Sequence, residues 1–215
     1  MFITDLILVL VVLSNLKLLG SSRLGASIRV VAAQGVVLGV LPLLAHGHGQ
    51  ELSLHFALLA LGTILIKGIA FPWFLFRAIR EAEIAREIEP YVGYAASLVA
   101  GAVVLGLSFW LCTRLPVPGN VASPWLMPVS FFSIFAGLFL IVSRKRAVSQ
   151  VLGFLVLENG IYTFGVGAVM KTPFLVEVGV LLDVFVAVFV MGITIFHINR
   201  EFDHIDTGRL SALKD

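Results

Sequence analysis

Seven long apolar runs, separated by short polar connections, account for most of this 215-residue sequence. Each run holds about 17–25 residues, enough to cross a hydrocarbon layer as a helix. In lipid every backbone N–H and C=O must be satisfied within its own segment or in a closed barrel. A barrel strand would show strict alternation over ~10 residues, which these continuous runs lack. Spans are predicted at 2–19, 28–45, 52–76, 91–113, 125–143, 147–169 and 174–198. Composition points the same way: 59% of residues are hydrophobic, 13% are charged, and mean hydropathy is +1.04. A soluble domain is about one quarter charged. The expected fold class is therefore an all-α integral membrane protein with about seven transmembrane helices. The first run begins at Met1 without a basic leader region or a small-residue cleavage site, and reads as a retained helix.

The connections predict an orientation. Lys17, Arg23, Arg29, Arg77, Arg80, Arg86, Arg144, Lys145, Arg146, Arg200, Arg209 and Lys214, twelve residues, fall on one side. Arg114 and Lys171 fall on the other, and Lys67 lies inside a span; twelve, two and one recover all 15 basic residues. The positive-inside rule puts the twelve in the cytoplasm, with the N-terminus outside and the C-terminus cytoplasmic. The Pro- and Gly-rich stretch TRLPVPGNVASPWLMP is the main break in the chain. It divides a four-helix half, 1–118, from a three-helix half, 119–215, that ends in a short cytoplasmic segment. Trp125 at that break suits the outer interface. RAIREAEIAREIEP, with Arg77 and Glu81 at helical spacing, reads as a solvated helix joining two spans.

Several function classes fall away. One cysteine, Cys112, builds no disulfide framework, iron–sulfur cluster or thiolate metal site. A net charge of +2 gives no reason to expect nucleic acid. His46, His48 and His55 lie in HGHGQELSLH, where the glycines favour a plain turn over a metal site. No metal or cofactor is expected, and no redox centre belongs to this chain. The absence of an inverted repeat or paired broken helices disfavours a free-standing transporter.

The residues that can carry chemistry are those too polar for their depth. The sixth run, LGFLVLENGIYTFGVGAV, carries Glu158 beside Asn159, with Glu158 roughly 16 Å from the cytoplasmic end at 1.5 Å per residue. The seventh, GVLLDVFVAVFVMGI, carries Asp183 roughly 14 Å from the outer end. Two antiparallel helices thus bring acids to similar depth. An ionised carboxylate there costs at least ~2.5 kcal/mol, so a functional role is the default hypothesis. The competing reading is an acid locked by a hydrogen bond or a basic side chain. Gly179, Ala187, Thr194 and His197 continue the Asp183 face, so Thr194 and His197 extend a polar track inward. Glu177 points roughly 120° away from Asp183, and fits a snorkelling acid as well as a functional one. Lys67, ahead of Pro72, fits a titrating amine or a fixed partner for an acid on a neighbouring subunit. Gln34 reads as an interhelical hydrogen-bond donor.

From about Trp125 to Asp215 the chain resembles the C-terminal half of the hydrogenase-4 component E family. The resembling stretches are SRKRAVSQVLGFLVLENG, LVEVGVLLDVFVAVFVM and LSALKD, with AAQGVVLG around Gln34 and ILIKGIAFP around Lys67 as weaker matches. The three-helix half also resembles the small K-type subunit of respiratory complex I and the C-type subunit of multisubunit cation/proton antiporters. In complex I that subunit carries two membrane glutamates associated with proton transfer. The resemblance aligns Glu158 with the first and puts Asp183 at the place of the second, as a shorter acid. Lys67 lies in the half for which the small subunit offers no template.

The resemblance implies a non-catalytic, membrane-arm subunit of a complex-I-like energy-converting complex of the hydrogenase-4 or formate hydrogenlyase type. Its expected place is the bacterial or archaeal cytoplasmic membrane, beside antiporter-like subunits and, indirectly, peripheral nickel–iron hydrogenase-like subunits. The resemblance implies proton transfer at Glu158 and Asp183; the reading of polar residues by depth adds Lys67, Glu177 and His197 to the candidate proton-transfer set. The alternative is a structural adaptor that holds antiporter-like subunits together and transfers no proton.

Overall fold

A computed structural model describes residues 2–45, 54–81, 90–115 and 123–168. In chain order these form α1 (Phe2–Leu19), α2 (Leu24–Ala45), α3 (Leu54–Leu65), a π-helical turn (Ile66–Ala70), α4 (Phe71–Glu81), α5 (Tyr94–Arg114), α6 (Leu126–Ser143) and α7 (Ala147–Ala168). The described residues are all-helical, with no strand among them. Among the described residues, six helical segments are long and apolar enough to cross a membrane, the third being the continuous run Ala60–Arg80. The predicted seventh span, 174–198, lies outside the described residues.

Local chemistry accounts for where the helices differ from expectation. The second starts at Leu24 rather than near residue 28, with Ser27 N–H donating to Arg23 O at 3.1 Å. Arg29 can therefore sit within helix: it is exposed, and its guanidinium lies 6.0 Å from the Phe76 ring centroid. Pro72 has no N–H and its ring would crowd the carbonyl of residue 68, so regular α-helix cannot run through it. The chain absorbs this with the π-helical turn just before it, where Phe71 N–H reaches back to Ile66 O.

α2 is the central helix, packing against α1, α3, the π turn, α4 and α7. Gly35 lets it approach the π turn: a Cβ there would fall 2.5 Å from the Cβ of Lys67. α6 and α7 come still closer. A Cβ on Gly137 would collide with Leu157 N, so the two backbones touch, as small residues permit between membrane helices. One apolar cluster joins Leu19, Ile28, Phe71, Phe132 and Leu155; a second joins Leu8, Val11, Leu38, Leu41 and Leu126. α5 is peripheral. It turns Ser97, Gly101 and Ser108 inward and leaves Val99, Val103, Leu107 and Trp110 exposed.

A buried ion pair and its hydrogen-bond chain

Lys67 and Glu158 meet inside the bundle. Nζ lies 2.9 Å from Glu158 Oε1, and the two residues are 5% and 2% exposed. The contact is an ion pair, and Glu158 Oε2 accepts no hydrogen bond from the described residues. Lys67 Nζ donates instead to Asn159 Oδ1 at 3.2 Å. It also stands 5.2 Å from the centroid of the Tyr162 ring, whose hydroxyl hydrogen-bonds Thr63. The π turn carries Lys67, and one turn of α7 carries all three of its partners. Uncompensated, either charge would cost several kcal/mol in this interior.

A second set of polar side chains runs away from the pair toward α1 and α6. Asn159 Nδ2 donates to Gln34 Oε1 at 3.5 Å. Gln34 Nε2 donates to Asn15 Oδ1 at 2.7 Å and to Ser14 Oγ at 2.5 Å, with Val11 O at 3.4 Å. Asn15 Nδ2 donates to Ser133 Oγ at 2.9 Å, and Ser133 Oγ donates to Val129 O at 2.9 Å. Gln34, Asn15, Ser133 and Asn159 are all buried. With Lys67 on the π turn, five elements therefore contribute to one polar network in the core.

A separate buried cation lies where α1 ends and α6 turns into α7. Arg144 is 2% exposed; Nη2 donates to Leu19 O at 2.6 Å, and the guanidinium stands 4.7 Å from the Tyr94 ring centroid. It satisfies a terminal carbonyl of α1 and carries positive charge at the negative end of that helix. Arg144 read from sequence as one of twelve loop charges; its role is packing across three segments.

Of the sequence-derived site residues, the structure brings Lys67 and Glu158 together within one chain. Lys67 thus has an acid of its own chain as partner. Gln34 is the interhelical donor expected of it. Asp183, Glu177 and His197 lie outside the described residues. Sequence reasoning missed Asn15, Ser14, Ser133 and the inward position of Arg144. Asn15 carried a usable signal, an amide within an apolar run. The serines carried none, since serine is common in membrane helices and satisfies itself on its own backbone.

Fold and site together define a multi-pass helical membrane protein with a buried lysine–glutamate pair. The chain belongs to the family of the "Uncharacterized protein Rv0085" of Mycobacterium tuberculosis, with which it is 33% identical over 210 residues, 95% of this chain and 92% of that one. It is also distantly related to "Hydrogenase-4 component E" of Escherichia coli (strain K12) and Shigella flexneri, at 29% identity over 119 residues. That match covers 55% of this chain and spans 54% of the hydrogenase-4 relatives' length. No family model and no solved structure matches the chain.

Proposed function

We propose that this chain is a membrane subunit of a hydrogenase-type, complex-I-like energy-converting complex, and that it relays protons through Glu158. The relationship to hydrogenase-4 component E supports the assembly, and the buried Lys67–Glu158 pair is the observation that carries the relay. A charged pair is expensive in a membrane interior, and apolar residues of similar volume often hold such a position at little or no cost in stability. Its retention therefore favours a task. Glu158 Oε1 faces Lys67, while Oε2 is left to take a proton. Protonation of Oε2 cancels the carboxylate charge and leaves Lys67 to Asn159 Oδ1; loss of that proton restores the pair.

In this reading Asp183 is the next carrier, Glu177 and His197 complete the set toward the two surfaces, and Lys67 governs the charge of Glu158. The N-terminus is outside and the C-terminus inside, in a bacterial or archaeal cytoplasmic membrane. Redox chemistry belongs to partner subunits. A static adaptor is the second reading, favoured by the closeness of the pair, which suits a brace between α7 and the π turn as well. Glu158→Gln separates the two. It keeps shape and hydrogen-bonding capacity but cannot titrate, so the relay predicts loss of proton translocation in an assembled complex. An adaptor predicts normal translocation wherever assembly survives. Identification of the subunits that co-purify with the chain tests the assembly itself.

A further inference from the structure

The polar network beside the pair has a direction. Asn159 turns its carbonyl oxygen toward Lys67 Nζ and its NH2 away, the orientation that an ammonium, which can only donate, requires. At the far end Val129 O can only accept, so Ser133 must donate to it. Between these ends every amide has the same sense: Asn159 donates to Gln34, Gln34 to Asn15, and Asn15 to Ser133. A side arm behaves alike, with Gln34 donating to Ser14 and Ser14 to Val11 O at 2.8 Å. Each link presents its oxygen toward the lysine and its N–H or O–H away, and each bond polarises the next. Groups of fixed orientation in a low-dielectric interior act on a nearby charge without having to reorganise.

We infer that Gln34, Asn15 and Ser133 are positioning residues that hold Lys67 as a permanent cation, so that of the two partners in the pair only Glu158 changes charge during turnover. The inference rests on the relay reading and deepens it by assigning different tasks to the two partners. Around Lys67, among the described residues, α7 offers Glu158 and Tyr162 as titratable groups. α2 packs Gly35 against it, and Thr63 of α3 hydrogen-bonds Tyr162. Tyr162 shows the ammonium its ring, a further contact that favours a cation. On the carboxylate opposite, Oε2 accepts no hydrogen bond from the described residues.

The test uses arginine, which keeps its charge throughout the accessible pH range. Proton translocation is measured in the intact reconstituted complex for Lys67→Gln, Lys67→Arg, Gln34→Leu and the Lys67→Arg/Gln34→Leu double variant. If the chain serves to keep residue 67 charged, Lys67→Arg retains several-fold more translocation than Lys67→Gln. Gln34→Leu then costs several-fold in the native background and nothing further on top of Lys67→Arg. A merely structural amide costs the same in both backgrounds, and that result overturns the assignment. So does a Lys67→Arg variant as inactive as Lys67→Gln. Because arginine is larger and Gly35 packs closely, a second reading uses the native side chain. In the full chain carrying 15N-lysine, the Nζ resonance absent from Lys67→Gln stays that of an ammonium between about pH 5 and 9. Conversion to a neutral amine in that range overturns the inference. This resonance is read at equilibrium, so it stands or falls independently of whether Glu158→Gln abolishes translocation.

Discussion

The ammonium of Lys67 sits in a notch between Glu158 and Asn159, 2.9 Å from the carboxylate Oε1 and 3.2 Å from the amide Oδ1. Consecutive helical residues diverge by about 100°, so one cation reaching both must lie close to the α7 surface. Gly35 makes that approach possible from the other side. The pair is thus a product of helix packing as much as of charge, and its removal has a signature of its own. Lys67→Met leaves a buried carboxylate without its partner and should destabilise the chain by about 3–5 kcal/mol. Lys67→Met/Glu158→Leu should recover most of that loss, because the double variant buries no charge. Thermal unfolding of the purified protein in one detergent decides; a double variant no more stable than Lys67→Met would contradict an energetically coupled pair.

The α6–α7 seam makes a sharper steric prediction. A methyl on Gly137 meets backbone atoms of Leu157 and Gly153, which cannot swing aside, whereas methyls on Gly62 and Gly106 meet nothing within 4 Å. Gly137→Ala should separate the two helices and lower the melting temperature. Gly106→Ala should leave it unchanged or raise it, since alanine in a helix interior is favoured over glycine by roughly 0.5–1 kcal/mol. Equal melting temperatures for the two variants would count against the close approach.

Arg144 and Lys17 look alike in the sequence, both basic residues at the cytoplasmic side by charge bias. Arg144 is buried on Leu19 O and Tyr94, whereas Lys17 is exposed. Arg144→Ala should cost about 1–3 kcal/mol, through a bare carbonyl and a lost ring contact. Lys17→Ala should stay within about 0.5 kcal/mol of the parent. Unfolding midpoints measured side by side test this, and indistinguishable variants would remove the packing role.

Cysteines introduced at His48 and Lys145 in a cysteine-free chain should label from opposite sides of sealed vesicles, with His48 outside. Labelling of both from one side would contradict the proposed topology.

What could be read from the sequence follows from which forces act locally. Helix α1 falls at the predicted 2–19, and α6 and α7 within a residue of prediction, because hydrophobic length alone sets a membrane helix. α2 begins before its apolar run, since Arg29 reaches out of the helix to Phe76; the run marks the lipid layer rather than the end of the helix. Glu158 and Lys67 could be singled out because each is costly at its depth. Their pairing could not, because it depends on Gly35 letting two helices approach and on a π turn that Pro72 signals only as an irregularity. Asn15 and Ser133 joined the site only through packing of α1 against α2 and α6. Arg144 escaped because a loop position says nothing about burial. The expected partners of Glu158 in the last span, Asp183 above all, remain part of the proposal alone.

The most direct test of the relay is the number of protons moved per turnover in the reconstituted complex carrying Glu158→Gln with Asp183→Asn. Both changes keep side-chain shape while removing titration. Peripheral redox activity with artificial acceptors, measured on the same preparation, certifies that the complex is assembled. The relay predicts that redox turnover persists while the protons moved per turnover fall. An unchanged stoichiometry in the fully assembled double variant would contradict it and leave the chain a structural adaptor.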